Sequence, residues 1–117
     1  MGSSGRRDSE NLRVDSVGAP DGGMVLKSAG ELDLSTVPIF IDALNEVLDG
    51  DVATIELDMS ELSFIDSSGV GAYVTAYRKA RAKGSQLRLG ARSGLVDRVL
   101  QLSGVEDALA REAADQT

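Results

Sequence analysis

Apolar and polar residues alternate in two short stretches near the start of the chain. Residues 12–17 alternate as a half-buried strand does, and residues 24–28 form a second apolar run. Residues 19–23, Ala-Pro-Asp-Gly-Gly, lie between them and have the composition of a tight turn. The pattern therefore predicts a β-hairpin.

Three later segments repeat apolar residues at helical spacing. The first runs to about Leu48, with Ser35 or Thr36 able to cap its start and Pro38 in a first turn that needs no N–H. The second spans about residues 67–83, and the third about residues 95–102. Each should bury one face, formed by Val37, Phe40, Ile41, Leu44, Val47 and Leu48 in the first helix, Val70, Val74 and Tyr77 in the second, and Leu95, Val99 and Leu102 in the third.

Two further strands separate these helices. Residues 54–59 alternate with period two, and residues 86–90 form a shorter strand. Strands joined by helical crossovers pair in parallel, whereas the hairpin adds an antiparallel edge. We therefore predict an α/β fold in which a small mixed β-sheet packs against α-helices.

One domain accounts for a chain of 117 residues of which 42% are hydrophobic. We expect this domain at residues 11–111, with a flexible N-terminus at residues 1–10 and a frayed C-terminus at residues 112–117. The first five residues resemble a leader added for expression. No apolar stretch is long enough for a signal peptide or a membrane span, and cysteine is absent. We therefore expect a cytoplasmic protein without membrane insertion.

Charge and composition exclude several classes of function. The formal charge of −7 opposes direct binding to nucleic acid, and the single basic group, Arg78 to Lys83, is explained by the dipole at the end of a helix. The absence of histidine and cysteine excludes imidazole-based catalysis and the zinc sites built on those residues. We expect neither a cofactor nor a metal.

The segment between the third strand and the second helix, Leu-Ser-Phe-Ile-Asp-Ser-Ser-Gly-Val-Gly, has the chemistry of a helix N-terminus. Asp66 or Ser67 can cap it, and the hydroxyls of Ser67 and Ser68 lie where the helix dipole favours an added anion. Gly69 and Gly71 leave room for another backbone or for tight helix–sheet packing. On these residues alone, a simple helix cap and a phosphorylation site are both open.

This segment resembles the phosphorylation motif of bacterial anti-sigma factor antagonists of the STAS domain family. The resemblance extends from about Leu12 to Gly104, because residues 30–33 (Gly-Glu-Leu-Asp), 55–58 and 102–105 also resemble family segments in the same order. Family members usually continue into a further strand and a C-terminal helix. Only residues 106–117 remain for these elements, so the resemblance implies that the last helix of the family is short, altered or missing here.

The resemblance implies phosphorylation at Ser67 and partner binding through Asp33, Asp66, Ser67, Ser68 and Gly69. The unphosphorylated chain would bind an anti-sigma factor, which is also the serine kinase, and so free a sigma factor during a stress response. Phosphorylation would block this binding, and a serine phosphatase would reverse it. ATP and metal ions would then belong to these partners, and the chain itself would not be an enzyme.

Two other functions remain open. A STAS domain can also be an accessory or scaffold subunit of a stress-sensing assembly or a membrane transporter. An enzyme with Ser67 as its nucleophile is disfavoured, because no histidine can act as the base and Lys79 lies at the far end of the helix.

Overall fold

The computed structural model describes residues 5–115 of the chain, which contain five strands and four helices. The strands are β1 (Gly5–Asp8), β2 (Leu12–Gly18), β3 (Met24–Leu32), β4 (Thr54–Ile65) and β5 (Gln86–Arg92). The helices are α1 (Val37–Leu48), α2 (Ser67–Ala82), α3 (Gly94–Ser103) and α4 (Val105–Asp115).

The sheet is mixed and its strands lie in sequence order, β1-β2-β3-β4-β5. β2 pairs antiparallel with both β1 and β3, so the predicted hairpin is confirmed. β3, β4 and β5 are parallel, and α1 and α2 form the two crossovers that such pairing requires. The predicted α/β architecture is therefore confirmed.

The core lies between the sheet and the helices. Alternate residues of β3 and β4, such as Leu26 and Leu57, are almost completely buried, whereas Lys27 between Leu26 and Ser28 is exposed. α1 contributes Phe40 and Leu44, which are fully buried. Each such side chain contributes about 1.5–3 kcal/mol through removal of apolar surface from water.

The N-terminal expectation is wrong for residues 5–8, which form β1 instead of a flexible segment. The outer edge of β2 offers unpaired backbone groups, and β1 pairs with it so that Arg6 lies opposite Asp15. Arg6 also donates to Asp15 at 2.7 Å, and Arg7 donates to Glu46 of α1 at 2.8 Å. Residues 1–4 lie outside the described part of the chain.

The C-terminal expectation is also wrong for residues 112–115, because α4 continues to Asp115. Val105 and Leu109 bury one side of α4, and Glu112 accepts two hydrogen bonds from Arg78 of α2, at 2.8 and 3.2 Å. α4 follows α3 directly through Gly104, which has a positive φ of 68°. Residues 105–115 thus form a helix of 11 residues that follows α3 without an intervening strand.

Three predicted details of the later elements differ from the structure. α3 buries Val96 and Leu100, whereas Leu95 and Leu102 of the predicted stripe are exposed, because packing against β4 orients the helix by its other apolar pair. β4 continues to Ile65 instead of ending near residue 59, since two register shifts allow it to stay paired with β3. α2 packs on small residues and Tyr73, so that the predicted face of Val70, Val74 and Tyr77 is only half-buried.

Candidate functional site

The candidate site lies where β3 and β4 end side by side. Leu32 and Ile65 are paired in the sheet, so Asp33 and Asp66 leave the same edge on adjacent strands. The backbone N–H of Asp66 donates to the carbonyl of Leu32 at 3.4 Å, which joins the two chain segments directly. The carboxyl ends of parallel strands are the usual location of functional residues in open α/β sheets.

Asp66 caps α2. Its backbone is extended, and its Oδ1 atom accepts a hydrogen bond from the N–H of Gly69 at 3.0 Å. The carbonyl of Asp66 accepts the first intrahelical bond, from Val70 at 3.0 Å. Of the two possible caps in the sequence, the structure therefore selects Asp66, which leaves Ser67 as the first residue of the helix.

Ser67 is exposed at this position, and Ser68 is half-buried. The N–H groups at the start of a helix have no intrahelical acceptor, so those of Ser67 and Ser68 contribute to the positive end of the helix dipole. Within residues 5–115 no side chain or backbone group forms a hydrogen bond with the Ser67 hydroxyl. The hydroxyl is thus accessible and lies in an environment that tolerates an anion.

Gly69 and Gly71 differ although they are two residues apart. A Cβ atom at Gly69 would lie 2.6 Å from the carbonyl oxygen of Leu32 and 2.6 Å from Cγ1 of Ile65. At Gly71 it would have no neighbour within 4 Å in the described part of the chain. The predicted tight helix–sheet packing is therefore confirmed at Gly69, whereas Gly71 is exposed and meets no such constraint.

Asp33 organises the loop before α1. Its Oδ1 atom accepts from the Ser35 hydroxyl at 2.7 Å, from the Ser35 N–H at 3.0 Å and from the Thr36 N–H at 3.2 Å. Donation from the Ser35 hydroxyl, aided by these N–H groups, lowers the pKa of Asp33 below its usual 3.8, against the opposing effect of desolvation. Asp33 is therefore a carboxylate at neutral pH. Asp33 and Ser67 both lie at the edge of the sheet where β3 and β4 end, but among the described residues no hydrogen bond joins them.

Sequence reasoning missed two features of this loop. Thr36 is buried, and its hydroxyl donates to the carbonyl of Glu31 at 2.8 Å, which fixes the loop against the end of β3. Leu34 is 77% exposed at the tip of the same loop. An apolar residue between two polar ones carries no sequence signal for exposure, because its orientation depends on the loop's hydrogen bonds.

Residues 5–115 also contain acidic residues and a basic group outside this edge. No three acidic residues there converge as a metal-binding group, and none of the described helices is both long and apolar enough to cross a membrane. In the basic group of α2, Arg78 pairs with Glu112, and Arg81 donates to the carbonyl of Ala113 at 3.3 Å. These two arginines hold α4 in place.

Comparison with known proteins places these features in a family. The family model described as Mlab, STAS domain matches residues 16–111. The anti-sigma-B factor antagonist of Listeria monocytogenes is 31% identical over 81 residues, which are 69% of this chain and 71% of that protein. Most of the chain, including both sides of the candidate site, lies inside the matched region.

Solved structures agree with this comparison. An anti-sigma factor antagonist from Mycobacterium paratuberculosis has the same fold, with a TM-score of 0.75 at 22% identity over 87% of this chain and 86% of that one. The phosphorylated form of the Bacillus cell fate determinant SpoIIAA gives a TM-score of 0.61 at 28% identity over 84% of this chain and 97% of that one. From its family match, its sequence relatives and its fold, the chain is a member of the STAS domain family.

Proposed function

We propose that this chain is an anti-sigma factor antagonist that is switched off by phosphorylation of Ser67. In the unmodified state it binds an anti-sigma factor with serine kinase activity, and a sigma factor is released. The observation that carries the proposal is the exposed Ser67 hydroxyl at the start of α2, directly after the capping Asp66. The relatives named as antagonists, and the phosphorylated form of SpoIIAA, support the same role.

The chemistry of the modification suits this position. The Ser67 oxygen forms a bond to the γ-phosphorus of ATP, the bond from that phosphorus to the bridging oxygen of ADP breaks, and the hydroxyl proton passes to a base of the kinase. This chain supplies only the acceptor oxygen and a rigid support for it. Asp66 fixes the first turn of α2 by its bond to Gly69, so the acceptor is held on an ordered helix start.

Phosphorylation should change the interface and leave the fold intact. A phosphate brings roughly −1.5 to −2 charges at pH 7, and the helix dipole stabilises such an anion by about 0.3–1 kcal/mol. Repulsion from Asp66 and Asp33 opposes this gain, but salt and solvent screen it in the free protein. At a closely packed interface water is excluded, so an unpaired dianion costs several kcal/mol and reduces affinity by orders of magnitude.

The remaining parts of the switch belong to other proteins. The kinase supplies ATP and its metal ion, and a serine phosphatase restores the unmodified chain. We propose that this chain acts without a cofactor and without enzymatic activity of its own, in the cytoplasm. We propose that Asp33, Asp66, Ser68 and Gly69 belong to the same partner-binding site as Ser67. Asp33 and Asp66 would give this site negative charge, and Gly69, which packs against Leu32 and Ile65, would hold the start of α2 in place.

Variants of the two adjacent serines test the proposal. Affinity capture from the source cell, with intact-mass analysis, first identifies the partner and the phosphorylation state. Ser67→Ala should bind the anti-sigma factor and resist modification, Ser67→Glu should bind weakly, and Ser68→Ala should still accept phosphate on Ser67. Melting temperatures of all three variants and of the phosphorylated chain should stay close to that of the unmodified protein.

Three outcomes would contradict the proposal. Phosphate found only on Ser68 would remove Ser67 from its role. Unfolding on phosphorylation, or unchanged affinity after it, would refute the interface mechanism. Capture of a transporter ATPase or a stress-sensing scaffold, without an anti-sigma factor, would favour the accessory function instead.

A further inference from the structure

The outer side of β5 is an unpaired edge of the sheet. Within residues 5–115, β5 pairs with β4 alone, and no backbone group of another segment bonds to its outer side. The N–H of Gln86 donates to the carbonyl of Ala53, the residue before β4, at 2.9 Å. Successive residues of a strand direct their backbone bonds to opposite sides, so the N–H and carbonyl groups of Leu87 and Leu89 point outward. An added strand can bond to these groups.

The two edges of the sheet differ in length and composition. β1, at the opposite edge, has four residues, of which three are charged. Short and charged edge strands discourage pairing with another chain. β5 has seven residues, contains no proline, and alternates Leu87 and Leu89 with polar residues. Of the two edges, β5 is therefore the one suited to pairing with a further strand.

A groove lies where α2 meets β5. α1 packs on β1, β2, β3 and α2, and the groove lies between Tyr77 and Arg81 of α2 and residues 84–87, with a volume of about 390 Å³. Tyr77 and Leu89 pack against the core but are only half-buried. Side chains alternate along an added strand, so those on the helix side of the sheet would cover Leu89 and reach this groove. An extended segment would thus find backbone partners and apolar surface together.

The charge of this edge is positive, although the chain as a whole has a formal charge of −7. β5 contains Arg88 and Arg92 and no acidic residue, and Arg81 and the exposed Lys83 lie at the groove. Arg92 is paired with carboxylates and Arg88 lies 3.8 Å from Asp21, but in the described part of the chain Arg81 and Lys83 form no ion pair. Aspartate or glutamate in a partner would complement these cations, whereas a second copy would pair two strands that both carry arginine.

We infer that the outer edge of β5 binds an extended segment of another protein, in which apolar residues alternate with aspartate or glutamate. The segment would add a sixth strand to the sheet and place an apolar side chain in the groove beside Tyr77. Tyr77 follows Ser67 by ten residues, which is about 15 Å along α2. Binding at this edge is therefore separate from the proposed function, and phosphorylation of Ser67 should leave it unchanged.

A synthetic peptide of four Glu-Val repeats, acetylated and amidated, tests this edge by titration into the ¹⁵N-labelled full chain. We expect saturable binding with a Kd below about 1 mM, and at least 10-fold slower hydrogen exchange at the N–H groups of Leu87 and Leu89. A peptide of four Lys-Val repeats tests the charge. The Glu-Val peptide with every backbone nitrogen methylated tests the backbone pairing. Both should bind at least 10-fold more weakly.

Two charge reversals in the chain form a matched pair. Arg88→Glu should raise the Kd of the Glu-Val peptide at least 5-fold. Lys27→Glu should change it less than 2-fold, because Lys27 is also exposed but lies on β3, roughly 14 Å from the added strand. Both side chains are in water, so both variants should keep the wild-type melting temperature.

Four results would overturn the inference. They are the absence of saturable binding, equal binding of the methylated peptide, equal effects of the two charge reversals, and binding that protects no N–H group of β5. A dimer of the free chain with Leu87 and Leu89 protected would also overturn it, because a second copy would then occupy the edge. Each of these results is independent of whether Ser67 is phosphorylated, so the proposed function stands or fails separately.

Discussion

The two glycines of the first turns of α2 allow a paired test of the packing that supports Ser67. Gly69→Ala and Gly71→Ala make the same chemical change two residues apart in one helix. At Gly69 the new methyl group would lie 2.6 Å from the backbone carbonyl oxygen of Leu32, which cannot rotate away, and 2.6 Å from Cγ1 of Ile65. At Gly71 it would meet no atom of residues 5–115 within 4 Å.

Opposite effects on stability follow from these distances. Alanine is favoured over glycine in a helix interior by about 0.8–1 kcal/mol, and Gly71→Ala should gain this amount in full. Gly69→Ala gains the same amount but must move α2 away from the end of β3, and overpacking of this kind costs about 1–3 kcal/mol. We therefore expect Gly71→Ala to be about 1–3 kcal/mol more stable than Gly69→Ala.

Urea denaturation and thermal melting measure this difference. About 1 kcal/mol corresponds to roughly 4 °C in a domain of this size, so Gly71→Ala should melt a few degrees above wild type and Gly69→Ala at or below it. Hydrogen exchange at the Asp66 N–H, which is bonded to Leu32, reports whether the junction has opened in Gly69→Ala. Equal stabilisation of both variants would show that the Leu32–Gly69 contact does not constrain the helix.

Three further predictions concern the buried core and the loop before α1. The buried hydroxyl of Ser28 in β3 has no hydrogen-bond partner among the described residues. Ser28→Ala should therefore raise the free energy of unfolding by about 1 kcal/mol, and a lower melting temperature would contradict this. Asp33→Ala should leave the fold intact but speed hydrogen exchange at Ser35 and Thr36, because the N–H groups of these two residues lose their acceptor. The same variant should weaken partner binding. The pKa of Asp33 in the folded protein lies below its usual 3.8, so the stability that Asp33 contributes is present above pH 3.8 and is lost as the pH falls through the folded pKa. A carboxyl ¹³C titration that placed this pKa at or above 3.8 would refute the lowered pKa.

The elements that the sequence predicts correctly depend on local chemistry. The alternation of β2 and β3 around a turn of Pro, Asp and Gly predicts their hairpin, and the stripe of α1 predicts both its bounds and its buried face. The capping chemistry of the Asp-Ser-Ser-Gly segment predicts the start of α2 within one residue. Each of these signals is contained in a few consecutive residues, and the surrounding structure agrees with it.

Tertiary structure alone decided the remaining features, because they depend on distant partners. α3 carries two apolar sets, and contact with β4 selected Val96 and Leu100 over Leu95 and Leu102. β1 and α4 have weak local signals. β1 forms along the open edge of β2, and α4 buries Val105 and Leu109 and bonds to Arg78 and Arg81 of α2. The site shows the same division: the sequence predicts a cap and an acceptor serine, but the parallel pairing of β3 with β4 brings the loop of Asp33 and Leu34 to the same edge of the sheet as Asp66 and Ser67.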